Sequence, residues 1–283
     1  MSSETIKHPT LTYFSGATPF FASAVDQRFS YCLYIPQSQP GDPDRYPLIV
    51  VQHGTARTAA RYRDAFRDFC DSHRCAMMAP LFPAGIGSPD DLHNFKFLAY
   101  GDLRFDLVLL GMVDEVAQRF PVRGDKFLLY GFSGGGQFAH RFLYLHPKRL
   151  HAITIGAPGR ITQLDDSLPW WLGTGGMAEI FGQGPDIEAM RQVEIQLVVG
   201  AQDTETWEIN NPGDSNWMDG VELTGGTRIE RLRTLERSFA AHGIGVRFDT
   251  VPGVAHSGFG VRPAVDAFLA GALARFPPPP AAE

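Results

Sequence analysis

The sequence predicts an α/β fold with a mostly parallel central sheet flanked by helices. Strand-like and helix-like segments alternate along the 283 residues, which is the pattern of parallel strands joined by helical crossovers. Segment 47–51 is apolar at every position, as is typical of a strand buried on both faces. In addition, a glycine-rich turn around Ser133 joins a β-prone run to a helical one.

The order of the elements follows from short apolar runs and from helical periodicity. Strands are predicted at 28–35, 46–52, 75–79, 126–130, 150–155, 194–199 and 246–251. Helices are predicted at 59–72, 102–120, 137–146, 227–242 and 263–276. The clearest of these helices, 102–120, places Leu103 and Leu107 on one apolar stripe. Two long stretches, 80–100 and 156–191, are predicted to be irregular.

Composition and charge narrow the class of function. The formal net charge is −6, so attraction to nucleic acid or to an anionic membrane is not expected. No apolar run approaches the ~18 residues of a membrane span, and the start of the chain lacks the features of a signal peptide. Cys32, Cys70 and Cys75 show no zinc-ligand spacing and are expected to be reduced thiols, which predicts a cytoplasmic protein without a metal.

The segment Gly131-Phe132-Ser133-Gly134-Gly135 carries the strongest functional signal. A G-x-S-x-G sequence between a strand and a helix is the pattern of a nucleophile elbow. The glycines are needed because side chains would collide across so tight a turn. This turn raises the serine hydroxyl above the sheet. The alternative interpretation is a glycine-rich turn without chemistry.

Two further side chains complete a candidate catalytic triad. A serine hydroxyl needs a base within hydrogen-bond reach, and the base needs an orienting acid. Asp203 follows the strand predicted at 194–199, and His256 follows the last strand. Parallel strands end at one edge of the sheet, so both side chains are expected near Ser133. The alternatives to Asp203 as the orienting acid are Glu205, Asp214 and Asp219.

These motifs together resemble the α/β-hydrolase fold superfamily over nearly the full chain. The elbow, the Val199-Gly200-x-x-Asp203 turn and the Val254-Ala255-His256 loop are similar to the family's triad segments. The segment Gln52-His53-Gly54-Thr55 resembles its oxyanion-hole stretch. The glycine-rich elbow is similar to that of bacterial esterases and polyester-depolymerase-like hydrolases.

The resemblance implies a serine hydrolase that needs no cofactor and acts on a small molecule. The oxyanion is expected to be bound by the backbone N–H groups of Gly134 and Thr55, with Ala56 as the alternative to Thr55. One domain is expected over 1–276, with 159–191 inserted as a cap or lid. Residues 277–283 are proline-rich and are predicted to form a disordered tail.

The substrate pocket is expected to be formed by loops rich in aromatic residues. All four tryptophans lie in two segments, 159–191 and 204–224, and they predict a substrate with an apolar or aromatic group. The alternative is that the tryptophans pack the loop onto the core. The candidate pocket residues are His53, Arg57, Tyr62, His93, Phe132, Trp170, Trp171, Trp207 and Trp217.

Three functions remain open from the sequence. The first is cleavage of a carboxylic ester through an acyl-enzyme on Ser133. The second keeps the triad but acts on another bond (amide, peptide, thioester or carbon–carbon), or is an acyltransferase or a lyase, because fold does not decide the reaction. The third is a ligand-binding receptor without turnover. The sequence does not indicate the oligomeric state.

Overall fold

The computed structural model describes residues 15–206, 212–213 and 216–277. At its centre, these residues form a nine-stranded sheet in which most neighbouring strands run parallel. The strands in chain order are β1 Gly16–Ala17, β2 Phe21–Ala22, β3 Ser30–Ile35, β4 Leu48–Gln52, β5 Ala76–Leu81, β6 Ala99–Tyr100, β7 Leu103–Arg104, β8 Phe127–Phe132, β9 Leu150–Gly156, β10 Glu194–Gly200 and β11 Arg247–Val251. Strands β6 and β7 form a separate antiparallel pair.

The main sheet has the order β1-β3-β5-β4-β8-β9-β10-β11, with β2 also paired to β3. Strands β5, β4, β8, β9, β10 and β11 run parallel to one another, whereas β3 pairs with β5 in the antiparallel direction. Strands β4 and β8 are buried along their whole length, as their continuous apolar sequences predict. The prediction of a mostly parallel sheet is confirmed.

Helices lie between the strands in chain order. They are α1 Ala59–Ala65, α2 Arg67–His73, α3 Phe105–Arg119, α4 Gly134–Leu145, α5 Met177–Phe181, α6 Ile187–Met190, α7 Arg228–Ala241 and α8 Arg262–Ala274. Short 3₁₀ turns occur at Asn94–Phe97, Pro147–Arg149 and Val221–Thr224. The single helix predicted at 59–72 is interrupted at Phe66. This residue is buried, and its ψ near 1° lies outside the helical range. Helix α3 begins three residues later than predicted because Leu103 and Arg104 form β7.

Four of the parallel strands end at the same edge of the sheet and carry the candidate site residues there. Strand β8 leads into Ser133, and β4 leads into the His53–Thr55 stretch. Beyond them, Asp203 follows β10 and His256 follows β11. The site therefore lies at the carboxyl ends of the strands, as expected for an α/β sheet. Within the described part of the chain, no helix is long and apolar enough to cross a membrane.

Helix α4 packs unusually close to this sheet edge. All of its residues are buried, and it contacts both β8 and β9. A Cβ atom placed on Gly135 would lie 2.3 Å from the carbonyl oxygen of Gln52 and 2.9 Å from that of His53. A Cβ on Gly136 would lie 2.3 Å from the carbonyl oxygen of Gly156. Glycine is thus required sterically where the helix meets the backbone of two strands.

Replacing Gly135 should therefore destabilise the fold through backbone collision. We expect Gly135→Ala to lower the free energy of unfolding by about 2 kcal/mol or more, because the colliding atoms belong to the backbone and cannot turn away. The matched control is Gly184→Ala, where a Cβ would meet no atom within 4 Å. This exposed substitution should change the stability by no more than about 0.5 kcal/mol. Urea unfolding of both variants measures the difference, and equal stabilities would contradict the packing described.

Candidate active site

Ser133 lies at a sharp turn between β8 and α4. Its backbone has φ 57° and ψ −116°, a conformation that is rare for a residue with a side chain. The Ser133 N–H donates to the carbonyl of Gly156 at 2.8 Å, and the Ser133 carbonyl accepts from the Gln137 N–H at 3.0 Å. These bonds fix the turn on both sides. The serine remains partly accessible to solvent, as a nucleophile must be.

His256 and Asp203 are joined by a short hydrogen bond. The distance from His256 Nδ1 to Asp203 Oδ2 is 2.6 Å, and Asp203 is fully buried. A carboxylate can only accept, so Nδ1 carries a proton, and in the neutral ring Nε2 then has a lone pair for a second partner. The other carboxylate oxygen, Oδ1, accepts from Arg228 Nη1 at 3.2 Å. The buried negative charge therefore has a cation on one side and an imidazole on the other.

Packing places the imidazole beside the elbow. The rings of His256 and Phe132 have centroids 4.9 Å apart, and Phe132 directly precedes Ser133. The loop after His256 is fixed at Gly258, whose carbonyl accepts from Tyr130 Oη at 2.9 Å. A Cβ on Gly258 would lie 2.5 Å from Tyr62 Oη, so the loop lies directly on that ring. Tyr62 is thus part of the support of the histidine loop.

The other candidate acids have different partners. The carboxylate of Asp219 accepts from Trp217 Nε1 at 3.2 Å. For Glu205, the bond found involves its backbone carbonyl, which accepts from Arg228. Asp214 lies outside the described residues. Among the described candidates, Asp203 is therefore the acid that contacts His256.

Gly134 lies next to the Gly54–Thr55 segment that follows β4. A Cβ on Gly134 would lie 3.0 Å from the backbone nitrogen of Thr55. A Cβ on Gly54 would lie 3.8 Å from the backbone nitrogen of Gly134. The two amide groups expected to bind an oxyanion are thus neighbours, in a space that a side chain at 134 would fill.

His53 and Arg57 brace the loop that carries Thr55. His53 is fully buried, and its Nε2 accepts from the backbone N–H of Phe82 at 3.0 Å. Its Nδ1 therefore carries the proton and donates to the carbonyl of Gly54 at 2.8 Å. Burial lowers the pKa of His53 to about 3, so the ring is neutral. Its position and bonds are those of a loop-shaping residue.

The guanidinium of Arg57 bonds to backbone rather than facing open solvent. It donates to the carbonyls of Thr55, Phe82 and Leu92 at 2.6, 3.1 and 3.1 Å. These bonds connect the candidate oxyanion loop to the end of β5 and to the long loop that follows.

Lys96 is a residue of this region that the sequence analysis did not single out. It lies on the 3₁₀ turn Asn94–Phe97 and is only 3% exposed. Its ammonium nitrogen is 2.6 Å from Nδ1 of His93, a predicted pocket residue that is partly buried. A Cβ on Gly134 would lie 2.8 Å from Lys96 Cε. A lone lysine in a loop has no periodicity or spacing that would have indicated this position.

The described tryptophans pack against one another and against a buried arginine. Trp171 is buried in a small apolar cluster with Leu172 and Val221, and Trp170 and Trp217 pack against that cluster. The guanidinium carbon of Arg141 lies 5.8 Å and 5.7 Å from the ring centroids of Trp170 and Trp171. These contacts agree with the interpretation that the tryptophans pack their loop onto the body of the protein. Trp207 lies outside the described residues.

Comparison with known proteins identifies the fold. No family model matches the sequence, and no curated protein is significantly similar to it. Among solved structures, poly(aspartic acid) hydrolase-1 from Sphingomonas sp. KT-1 has a TM-score of 0.71 at 19% identity, covering 89% of this chain and 98% of that one. The poly(3-hydroxybutyrate) depolymerase LpqC from Bordetella parapertussis has a TM-score of 0.68 at 23% identity, covering 87% of both chains.

A third similar structure is an S-formylglutathione hydrolase from Agrobacterium tumefaciens. It has a TM-score of 0.61 at 16% identity, and the match covers 91% of this chain and 94% of that one. These neighbours are hydrolases of the α/β-hydrolase type. The chain therefore has the α/β-hydrolase fold, which confirms the fold expected from its motifs.

The buried neutral His53 should make the fold sensitive to acid. Its folded pKa of about 3 lies below the usual 6.5, so the unfolded chain binds a proton that the folded chain does not as the pH falls below 6.5. This group thus removes stability on acidification. In His53→Gln, the amide oxygen can still accept from Phe82. Between pH 7 and pH 5, we expect the free energy of unfolding of this variant to fall by about 2 kcal/mol less than that of the wild type. Urea unfolding at several pH values measures this, and parallel curves would contradict it.

Proposed function

We propose that this chain is a serine hydrolase that cleaves a carboxylic ester through an acyl-enzyme on Ser133. The observation that carries the proposal is the 2.6 Å bond between His256 Nδ1 and the buried Asp203, on a loop packed against the strained elbow. In the neutral imidazole this bond keeps the proton on Nδ1, so that Nε2 has the lone pair that a general base needs. The α/β-hydrolase fold supports the same reaction class by analogy.

In the proposed first step, Ser133 Oγ attacks the ester carbonyl while His256 Nε2 takes its proton. The developing oxyanion is bound by the N–H groups of Gly134 and Thr55. The imidazolium is stabilised by Asp203, whose charge is also paired with Arg228. His256 then gives the proton to the leaving alcohol, and the Ser133 acyl ester remains.

In the second step, water replaces the alcohol. His256 takes a proton from the water, which attacks the acyl carbonyl, and the same two N–H groups bind the second oxyanion. Ser133 recovers its proton from His256 as the acid leaves. In these two steps, every proton transfer and bond change involves only the ester, one water molecule and groups of this chain. The proposal therefore includes no metal or cofactor.

The bond that is cleaved needs a direct comparison. Poly(aspartic acid), poly(3-hydroxybutyrate) and S-formylglutathione, named for three neighbours, differ in chemistry, so the shared fold does not select one bond. We propose the ester over the amide because an alcohol is an easier leaving group than an amine. Matched ester, thioester and amide substrates with one acyl group would rank the three bonds by kcat/KM.

Removing the Ser133 hydroxyl should abolish turnover without unfolding the chain. We expect Ser133→Ala to lower kcat for p-nitrophenyl butyrate by about 10⁴-fold or more, because no other group can form the acyl-enzyme. Ser72→Ala, at an exposed position on α2, is the matched control and should keep wild-type activity. Circular dichroism verifies that both variants fold. Equal turnover by Ser133→Ala would overturn the proposal, and tight ligand binding without turnover by the wild type would favour a receptor.

A further inference from the structure

The position of Lys96 places a buried cation at the candidate oxyanion hole. Its side chain passes within contact distance of Gly134, the first residue of α4. Its carbonyl accepts from Arg141 Nη1 at 2.6 Å, which fixes the 3₁₀ turn of Lys96 against α4. The backbone and the side chain of Lys96 are therefore both held against helix α4, and the ammonium has little freedom to move into solvent.

His93 orients this ammonium without neutralising it. An ammonium group can only donate, so Nδ1 of His93 accepts in the 2.6 Å contact with Lys96 Nζ. Burial, followed by the positive charges of Lys96 and Arg160, lowers the pKa of His93 to about 4. The imidazole is thus neutral near neutral pH, and its Nδ1 lone pair faces the lysine nitrogen.

The surroundings of His93 are positive on balance. Lys96, Arg160 and Arg57 all act on it as cations, whereas Asp91 acts as an anion. Arg160 is itself only 2% exposed. A positive charge in such a poorly solvated place interacts with an anion more strongly than a surface lysine does.

The direction of this positive region relative to the triad indicates which part of the substrate it meets. The leaving alcohol must lie near His256, which packs on Phe132. Lys96 lies instead against Gly134, on the side of Thr55. Because Lys96 lies beside Gly134 and not beside the ring of Phe132 against which His256 packs, we assign a group that reaches Lys96 to the acyl part of the ester.

We infer that Lys96 recognises a carboxylate on the acyl part of the substrate, so that the preferred substrates are half-esters of dicarboxylic acids. The inference rests on the proposed reaction at Ser133 and names its substrate class. The substrate group inferred here is anionic, whereas the tryptophans predict an apolar or aromatic group. Lys96 is in this view a specificity-determining residue.

The test compares two esters whose acyl chains have the same length. These are p-nitrophenyl hexanoate, which is neutral, and the half-ester p-nitrophenyl adipate, which ends in a carboxylate. We expect the wild type to prefer the adipate half-ester in kcat/KM. We expect the loss in Lys96→Met to be about tenfold to a hundredfold greater on that ester than on the hexanoate, as for one charge-assisted hydrogen bond. Methionine keeps a stem of similar length against Gly134. Lys148→Met, at an exposed lysine paired with Asp186, is the control for removing one charge elsewhere.

The outcomes separate recognition from other roles of the lysine. An equal loss on both esters would overturn the inference, because it would place Lys96 in oxyanion stabilisation or in folding. If Lys96→Met does not fold, the wild type decides: a preference for the adipate half-ester that falls with added KCl supports the inference, and no preference overturns it.

A failure of the proposed reaction would be recognised separately. In that case the wild type would hydrolyse neither ester, and binding of adipate would be measured by titration calorimetry. Binding that is lost in Lys96→Met but kept in Lys148→Met would still support an anion site at Lys96. No binding of adipate to the wild type would overturn the inference.

Discussion

The close approach of helix α4 to the sheet is the constraint on which the rest of the site depends. The helix begins so near the ends of β4 and β9 that Gly135 and Gly136 have no room for a Cβ. The chain must therefore turn sharply between Phe132 and Gly134, and Ser133 takes its positive φ as a consequence. The same closeness places the Gly134 amide beside Thr55 and the lysine stem beside both. The positions of the candidate nucleophile, the candidate oxyanion donors and the candidate anion site thus all follow from this one steric constraint.

Electrostatics supplies the second half of the site. Asp203 is fully buried, and an isolated carboxylate there would be costly. Its two oxygens are satisfied by Arg228 and by His256, which fixes the tautomer and the direction of the imidazole. The cost of burial is offset only while both partners remain. Asp203, Arg228 and His256 therefore form one unit, joined by two hydrogen bonds to the same carboxylate.

Much of the fold was predictable because it depends on local patterns. Continuous apolar runs gave β4 and β8, and the glycine-rich turn between strand and helix located Ser133. The order of Ser133, Asp203 and His256 after successive strands was enough to place them at one edge of the sheet. The interruption of the predicted 59–72 helix at Phe66 has no such pattern, because it reflects packing of that ring against Phe69 and Tyr130.

The parts of the site that were not predicted depend on contacts between distant segments. His53 accepts from Phe82, and Arg57 donates to the carbonyl of Leu92, so neither bonding pattern is visible in a short window. The role of Trp171 in a cluster with Val221 likewise joins segments far apart in the chain. Lys96 is buried beside Gly134, whereas a lysine in a loop would be expected in solvent.

The activated state of Ser133 is the central claim, and covalent labelling tests it most directly. The chain would be treated with a fluorophosphonate, followed by intact-mass analysis and peptide mapping. We expect one label per chain on Ser133, and loss of labelling in a folded His256→Ala variant, because the base is needed to activate the hydroxyl. Labelling of Ser133 at the same rate in His256→Ala, or no label on the folded wild type, would contradict the account.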